Sequence, residues 1–171
     1  MPLTPRSTQK LLHILQEGDA LHIRPARPSD LPQILRIEEE SFEEYLRYKP
    51  REMQYLLFEA NSEGWVAEID INIVGYYIIL FRKNTRVARL YSIATGLKWR
   101  GRGVGRVLLQ HAEERAIKRG CVEMHLEVKT SNESAIALYK AHGYSISELL
   151  PDYYRAGVHG YRMSKRLLER E

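Results

Sequence analysis

Only one of the 171 residues is cysteine, Cys121. A single thiol permits no internal disulfide, so a reducing compartment suits the chain. Cys121 follows Gly120 at the start of an apolar run, which marks a buried structural thiol rather than a nucleophile. No apolar stretch approaches the ~20 residues of a membrane span, so no membrane association is expected. The N-terminus has no continuous apolar h-region, so export is not expected and a cytoplasmic location is. No spacing of His, Cys, Asp and Glu suggests a metal site. Charge of one sign is also scarce: 26 Lys and Arg against 22 Asp and Glu leave +4. That mild excess suits an anionic ligand or an acidic partner surface and is meagre for a dedicated nucleic-acid binder. Repeats, low-complexity tracts and linkers are missing too, and the length is that of one domain.

The patterning that is present follows a clear order. Residues 1–20 form an extension of undetermined role, with a short helical pattern (Leu11, Leu12, Ile14, Leu15) ending near Gly18. Residues 21–26 alternate like a first strand. Ser29 is a candidate N-cap for a helix to about Glu40, with Pro32 tolerated in its first turn. Further helices are expected over 42–48 and 50–60. Residues 65–69 and 73–81 read as a hairpin about an Asp-Ile-Asn turn, and 86–95 as the next strand. A long helix from Val104 to about Gly120 follows, then a strand over 122–128, a helix over 132–142, and closing strands at 144–149 and 160–167. This order gives one α/β domain, residues 21–171, on a mixed sheet.

Between the strand and the long helix the chain reads RGRGVG, Arg100 to Gly105. A glycine-rich turn that opens a helix is suited to phosphate. Glycines let the backbone come close to the anion, and the first free N–H groups of the helix point at it. The helix dipole adds favourable potential, and Arg100, Arg102 and Arg106 add charge. Spacing excludes two phosphate motifs. A GxGxxG begun at Gly101 needs glycine where Arg106 stands, and no Gly-Lys-Ser/Thr occurs for a nucleoside triphosphate loop. The alternative is that the glycines only shape a tight strand-to-helix turn.

What remains, Arg100-x-x-Gly103-x-Gly105, resembles the acetyl-CoA pyrophosphate loop of the GNAT acetyltransferase superfamily. Downstream comes LEVKTSNESAIALYKAHGY, Leu126 to Tyr144, which resembles the second signature of the RimI-type branch, the ribosomal-protein alanine N-acetyltransferases. Ser92-Ile93-Ala94-Thr95 matches that family's strand before the loop. The resemblance runs without a gap from Ile93 to Tyr144 and more loosely from Arg24 onward. It implies an α/β (α+β) fold with a central mixed, mostly antiparallel sheet of about seven strands. Helices lie on both faces, and the two parallel central strands splay apart for the cofactor. The pantetheine arm then satisfies backbone groups that would otherwise be costly to bury.

Acetyl transfer from a thioester needs a neutral amine, an N–H donor for the oxyanion, a proton for the thiolate, and both reactants held together. The resemblance places the general base on Glu127, which by alternation faces opposite to Leu126 and Val128. The competing reading is a solvent-facing carboxylate paired with a neighbouring Lys or Arg. Tyr139 is the implied acid toward the CoA sulfur; otherwise it is a core aromatic under its helix. The backbone of Ile93, Ala94 and Thr95 is expected on pantetheine, and that of Gly101, Arg102, Gly103, Val104, Gly105 and Arg106 on the pyrophosphate. Asn132 reads as an N-cap, and the family pattern puts it on the CoA arm. Tyr153 and Tyr154 resemble the turn that shapes the peptide slot, or are simply turn aromatics.

The sequence departs from the family where Val158, His159 and Gly160 replace an acidic Glu-Asp-Ala, and where the loop after Ser41 lacks Phe-Pro-Trp. His159 is expected in an exposed hairpin. The implied activity is acetyl-CoA-dependent N-acetylation of a peptide or protein N-terminal amine, a ribosomal protein among the candidates. The alternatives are a lysine side chain or a small amine, and a non-catalytic CoA-binding module. A nucleic-acid role for Lys98–Arg106 is not expected, since a phosphate ligand already explains those charges. Monomer and homodimer both stay open.

Overall fold

The computed structural model describes residues 20–167, so the helical pattern expected within residues 1–20 lies outside the described residues up to Asp19. Seven strands form one sheet in the order β1-β2-β3-β4-β5-β7-β6, with helices on both faces. The strands are β1 Leu21–Pro25, β2 Ser62–Ile69, β3 Asn72–Phe81, β4 Val87–Thr95, β5 Glu123–Lys129, β6 Ser145–Arg155 and β7 Val158–Arg166. The helices are α1 Leu31–Ser41, α2 Pro50–Phe58, α3 Val104–Lys118 and α4 Glu133–Ala141. Two compact units emerge, one of the chain up to Ile78 with Ser92–His111, the other of Ile79–Tyr91 with the chain from Ala112 on. β3, β4 and α3 run through both.

Strand chemistry follows position in the sheet. Residues 73–79 of β3 are buried one after another, as in a strand covered on both faces. β4 and β5 alternate buried and half-exposed residues, so each shows one face to the core. β1 pairs antiparallel with β2, and β7 antiparallel with both β5 and β6. β4 and β5 are parallel, registered from Val87 opposite Glu123 to Leu90 opposite Leu126. β5 keeps β7 as its partner through Lys129 opposite Gly160.

Three expectations need correction. Residues 42–48 do not form a helix; only Glu44–Leu46 make a 3₁₀ turn. Phe42, Glu43 and Arg47 are extended, and Lys49 is held extended by the following Pro50. Ser29 does not cap α1. A 3₁₀ turn over Pro28–Asp30 precedes the helix, and the Asp30 carboxylate accepts from Arg24 and from the Arg27 N–H. The strand expected to end at 149 runs to Arg155, through Pro151. Proline reads as a breaker, but β6 is an edge strand, where a missing N–H leaves no ladder bond unmade.

One buried polar cluster ties α1 to the sheet. Glu38 is buried, and its carboxylate accepts from the Tyr76 hydroxyl and from the Tyr48 N–H at 3.2 Å. The Tyr76 hydroxyl also lies 3.1 Å from Ser92 Oγ. Burial raises Glu38 above the usual carboxylate range, against the hydrogen bonds that favour its charge. A carboxyl raised in the folded state binds more protons than when unfolded, so its contribution falls as pH rises through its titration range. The Glu38→Gln variant cannot ionise there. Urea unfolding from about pH 4 upward should show wild type losing stability relative to Glu38→Gln. A difference independent of pH would contradict the burial argument.

Candidate active site

The glycine turn sits where β4 hands over to α3. Gly101 and Gly103 have φ of 77° and 83°, a left-handed conformation that side chains rarely adopt. A Cβ on Gly101 would meet nothing within 4 Å, so the backbone itself forms the open surface. Val107 donates to the Gly103 carbonyl at 3.1 Å, which closes the first helical turn. The N–H groups of Val104, Gly105 and Arg106 lie ahead of any i−4 carbonyl of the helix and face outward from its start. Gly105 comes near β4, where an added Cβ would lie 3.7 Å from Thr95 Oγ1. These features fit a pyrophosphate, an anion read by backbone N–H groups at close approach.

Of the three loop arginines, Arg100 is already engaged. Its Nε donates to the Thr95 carbonyl at 3.1 Å, and Nη2 to the Glu40 carbonyl at 3.2 Å and Ser41 Oγ at 3.1 Å. It therefore braces the end of β4 against the end of α1. Glu40 completes the brace by accepting the Leu97 N–H at 2.8 Å. Arg102 lies over the Trp99 ring at 5.1 Å, and Arg106 is exposed in the first turn of α3. Gly75 on β3 lets that turn settle. A Cβ there would lie 2.8 Å from Leu108 Cδ1, 3.0 Å from the Ala94 carbonyl and 3.2 Å from Val104 Cγ1. A lone glycine inside an apolar strand was the available signal for it.

The second unit holds the acid–base candidates. Glu127 projects from β5 with its side chain only 8% exposed. Its Oε2 accepts from Arg89 Nε at 3.0 Å, and Oε1 lies 3.5 Å from Arg162 Nη2. The carboxylate is thus not solvent-facing: Oε2 is hydrogen-bonded, and Oε1 has a longer charge contact. Asn132 caps α4, its Oδ1 accepting from the Ala135 N–H at 3.2 Å. Tyr139 is buried on α4, edge-on to Tyr144 with ring centroids 5.9 Å apart. Burial pushes its hydroxyl up to about 12, so it is protonated at neutral pH.

Tyr153 and Tyr154 lie on β6 rather than in a turn, because the strand continues past Pro151. Their rings meet edge to face at 5.0 Å. Gly160 on β7 makes room for them, since a Cβ there would come within 3.2 Å of Tyr154 and 3.3 Å of Tyr153. The departure noted at Gly160 therefore lets both rings lie against the β7 backbone. His159 is exposed on β7 and accepts the Asp152 N–H at 2.9 Å. The unit brings together Glu127, Tyr153 and two arginines that composition did not single out. Arg162 stands opposite Glu127 in register, so cross-strand pairing was the signal, legible only once the strands are aligned.

Comparisons with known proteins place the chain in a family. The model of the acetyltransferase (GNAT) family matches residues 31–144. An N-alpha-acetyltransferase of Sulfurisphaera tokodaii is 32% identical over 169 residues, 89% of this chain and 96% of the relative. The ribosomal protein bS18-alanine N-acetyltransferase of Escherichia coli (strain K12) is 33% identical over 101 residues, 59% of this chain and 62% of that one. The crystal structure of the Escherichia coli ribosomal-protein-S18-alanine N-acetyltransferase superposes with a TM-score of 0.78 at 23% identity, over 89% of this chain and 97% of that one. The chain belongs to the GNAT acetyltransferase family. It is an N-acetyltransferase with acetyl-CoA as donor. No group of three or more His, Cys, Asp or Glu that could hold a metal occurs among the described residues, and none of their helices is long and apolar enough to cross a membrane.

Replacing both Gly103 and Gly105 with valine strains the turn and fills the surface the pyrophosphate would approach. Calorimetry should then detect no acetyl-CoA binding, while circular dichroism still reports a folded chain. Wild-type affinity in the folded double variant would place the cofactor elsewhere.

Proposed function

We propose that this enzyme acetylates the α-amine at a protein N-terminus, with ribosomal proteins among the candidate acceptors, and that residues 21–171 form its catalytic domain. One observation carries the reading: the relative named N-alpha-acetyltransferase aligns with nearly the whole of both chains. The exposed Tyr153 ring, with Tyr154 edge-on behind it, supplies an aromatic surface suited to a peptide.

Acetyl-CoA supplies the acetyl group as a thioester. The backbone of residues 101–106 holds its pyrophosphate, and Ile93, Ala94 and Thr95 line its arm with an N–H for the oxyanion. Asn132 meets the same arm while capping α4. The acceptor must attack as a neutral amine, and an α-amine titrates near ~8. Glu127, directly or through water, takes the proton the amine loses as the N–C bond forms. The C–S bond then breaks, and the Tyr139 hydroxyl faces the departing sulfur. Burial keeps this phenol protonated at neutral pH, so it has a proton to offer. Tyr139 acts as the general acid, giving its proton to the developing thiolate and regaining one from solvent.

The test combines acceptor choice with two variants. Mass spectrometry should find one acetyl group on a free peptide α-amine and none on an N-blocked peptide carrying lysine, or on a small amine. Glu127→Gln should lower kcat ~10²-fold or more with acetyl-CoA affinity retained, and the deficit should shrink as pH rises and the amine deprotonates unaided. Tyr139→Phe should slow the reaction to a similar degree and recover with an acyl donor whose thiol leaves more readily. Acetylation of lysine alone, or a pH-independent Glu127→Gln defect, would contradict the reading.

A further inference from the structure

A carboxylate can act as a base only through an oxygen that is not already saturated, and the two oxygens of Glu127 differ. Oε2 accepts a hydrogen bond from Arg89 Nε at 3.0 Å. Among the described residues Oε1 meets Arg162 Nη2 at 3.5 Å, a charge contact beyond ordinary hydrogen-bond range. Arg162 is drawn the other way, its Nη1 donating to Glu148 Oε2 at 2.6 Å. Arg89 has a second engagement: Nη2 donates to the Tyr153 hydroxyl at 2.9 Å. Its guanidinium also lies over the Tyr91 ring, 5.0 Å from the centroid.

We propose that Arg89 is a positioning residue for acetyl transfer: one guanidinium anchors Glu127 by Oε2, leaves Oε1 to meet the amine or its water, and sets Tyr153 for the acceptor. The inference rests on the roles proposed above for Glu127 and Tyr153. Its physical basis is the rigid planar fork of arginine, in which Nε and Nη2 cannot be aimed independently. Turning the guanidinium to serve one partner moves the other, so the proton acceptor and the acceptor surface are set together. Stacking on Tyr91 limits that turning. Sheet register supplies the rest. Arg89 stands opposite His125, two residues before Glu127 on the parallel partner, so both side chains point to the same face. Glu148 contributes by holding Arg162 off Oε1; without it that guanidinium can close on that oxygen.

Steady-state kinetics on the full chain, with acetyl-CoA and the N-terminal peptide, test this. Arg89→Met should lower kcat by ~10- to 100-fold, the scale of a misplaced catalytic group. It should also raise the peptide KM several-fold, leaving the acetyl-CoA KM unchanged. Arg89→Lys should regain much of kcat, because an ammonium can still serve Oε2. It should not regain the peptide KM, because a point charge cannot hold both partners. Glu148→Gln should lower kcat alone. Wild-type kcat and peptide KM in Arg89→Met, with Glu127→Gln inactive, would overturn the inference and leave the base assignment standing. If Arg89→Met does not fold, a wild-type peptide KM in Arg89→Lys overturns it instead. Full activity in Glu127→Gln would remove the base assignment itself, and the inference with it.

Discussion

The active half of the sheet depends on a parallel ladder that ends early. β4 and β5 are registered only from Val87 and Glu123 to Leu90 and Leu126, although β4 runs on to Thr95 and β5 to Lys129. Glu127 is the first residue of β5 past that ladder, and β5 retains β7 on its other side. Backbone groups left beside such an ending need partners, since a buried unpaired N–H or C=O is costly. In the proposed function the arm of acetyl-CoA provides them. The Glu127 carboxylate stays within reach of Arg89 on β4.

In the proposed function, backbone groups hold the cofactor and ionic groups serve the acceptor. At the glycine turn, the surface consists of positive-φ glycines and a helix start, and Arg100 bonds to the Thr95 and Glu40 carbonyls. Around Glu127, by contrast, two arginines, a second carboxylate and a phenol form one connected chain. The first arrangement reads any pyrophosphate with the right arm. In the inference drawn above, the second sets direction by leaving one oxygen of the carboxylate to the amine.

Much of this was legible in the sequence where chemistry is local. The glycine turn, the Asn132 cap and the strand–helix order near it are signalled by residues a few positions apart. Each predicted element from Val87 to Ala141 lies within two residues of its place. Legibility failed where distant or edge effects decide. Residues 42–48 have helical periodicity, but Pro50 and extended backbone at Arg47 stop the helix. Pro151 suggested a strand end, yet an edge strand tolerates it, which moved Tyr153 and Tyr154 from a turn onto β6. The clamp on Glu127 needs the alignment of strands far apart in the chain, and Glu38 gives no sign in the sequence that it is the buried member of three consecutive glutamates.

The central claim is that acetyl-CoA is held by backbone at the turn and beside the end of the parallel ladder. Hydrogen–deuterium exchange of the full chain with and without acetyl-CoA measures this directly. The account predicts slowed exchange concentrated in residues 93–95, 103–106 and 127–129. Saturating binding that leaves those amides exchanging at the unliganded rate would contradict it.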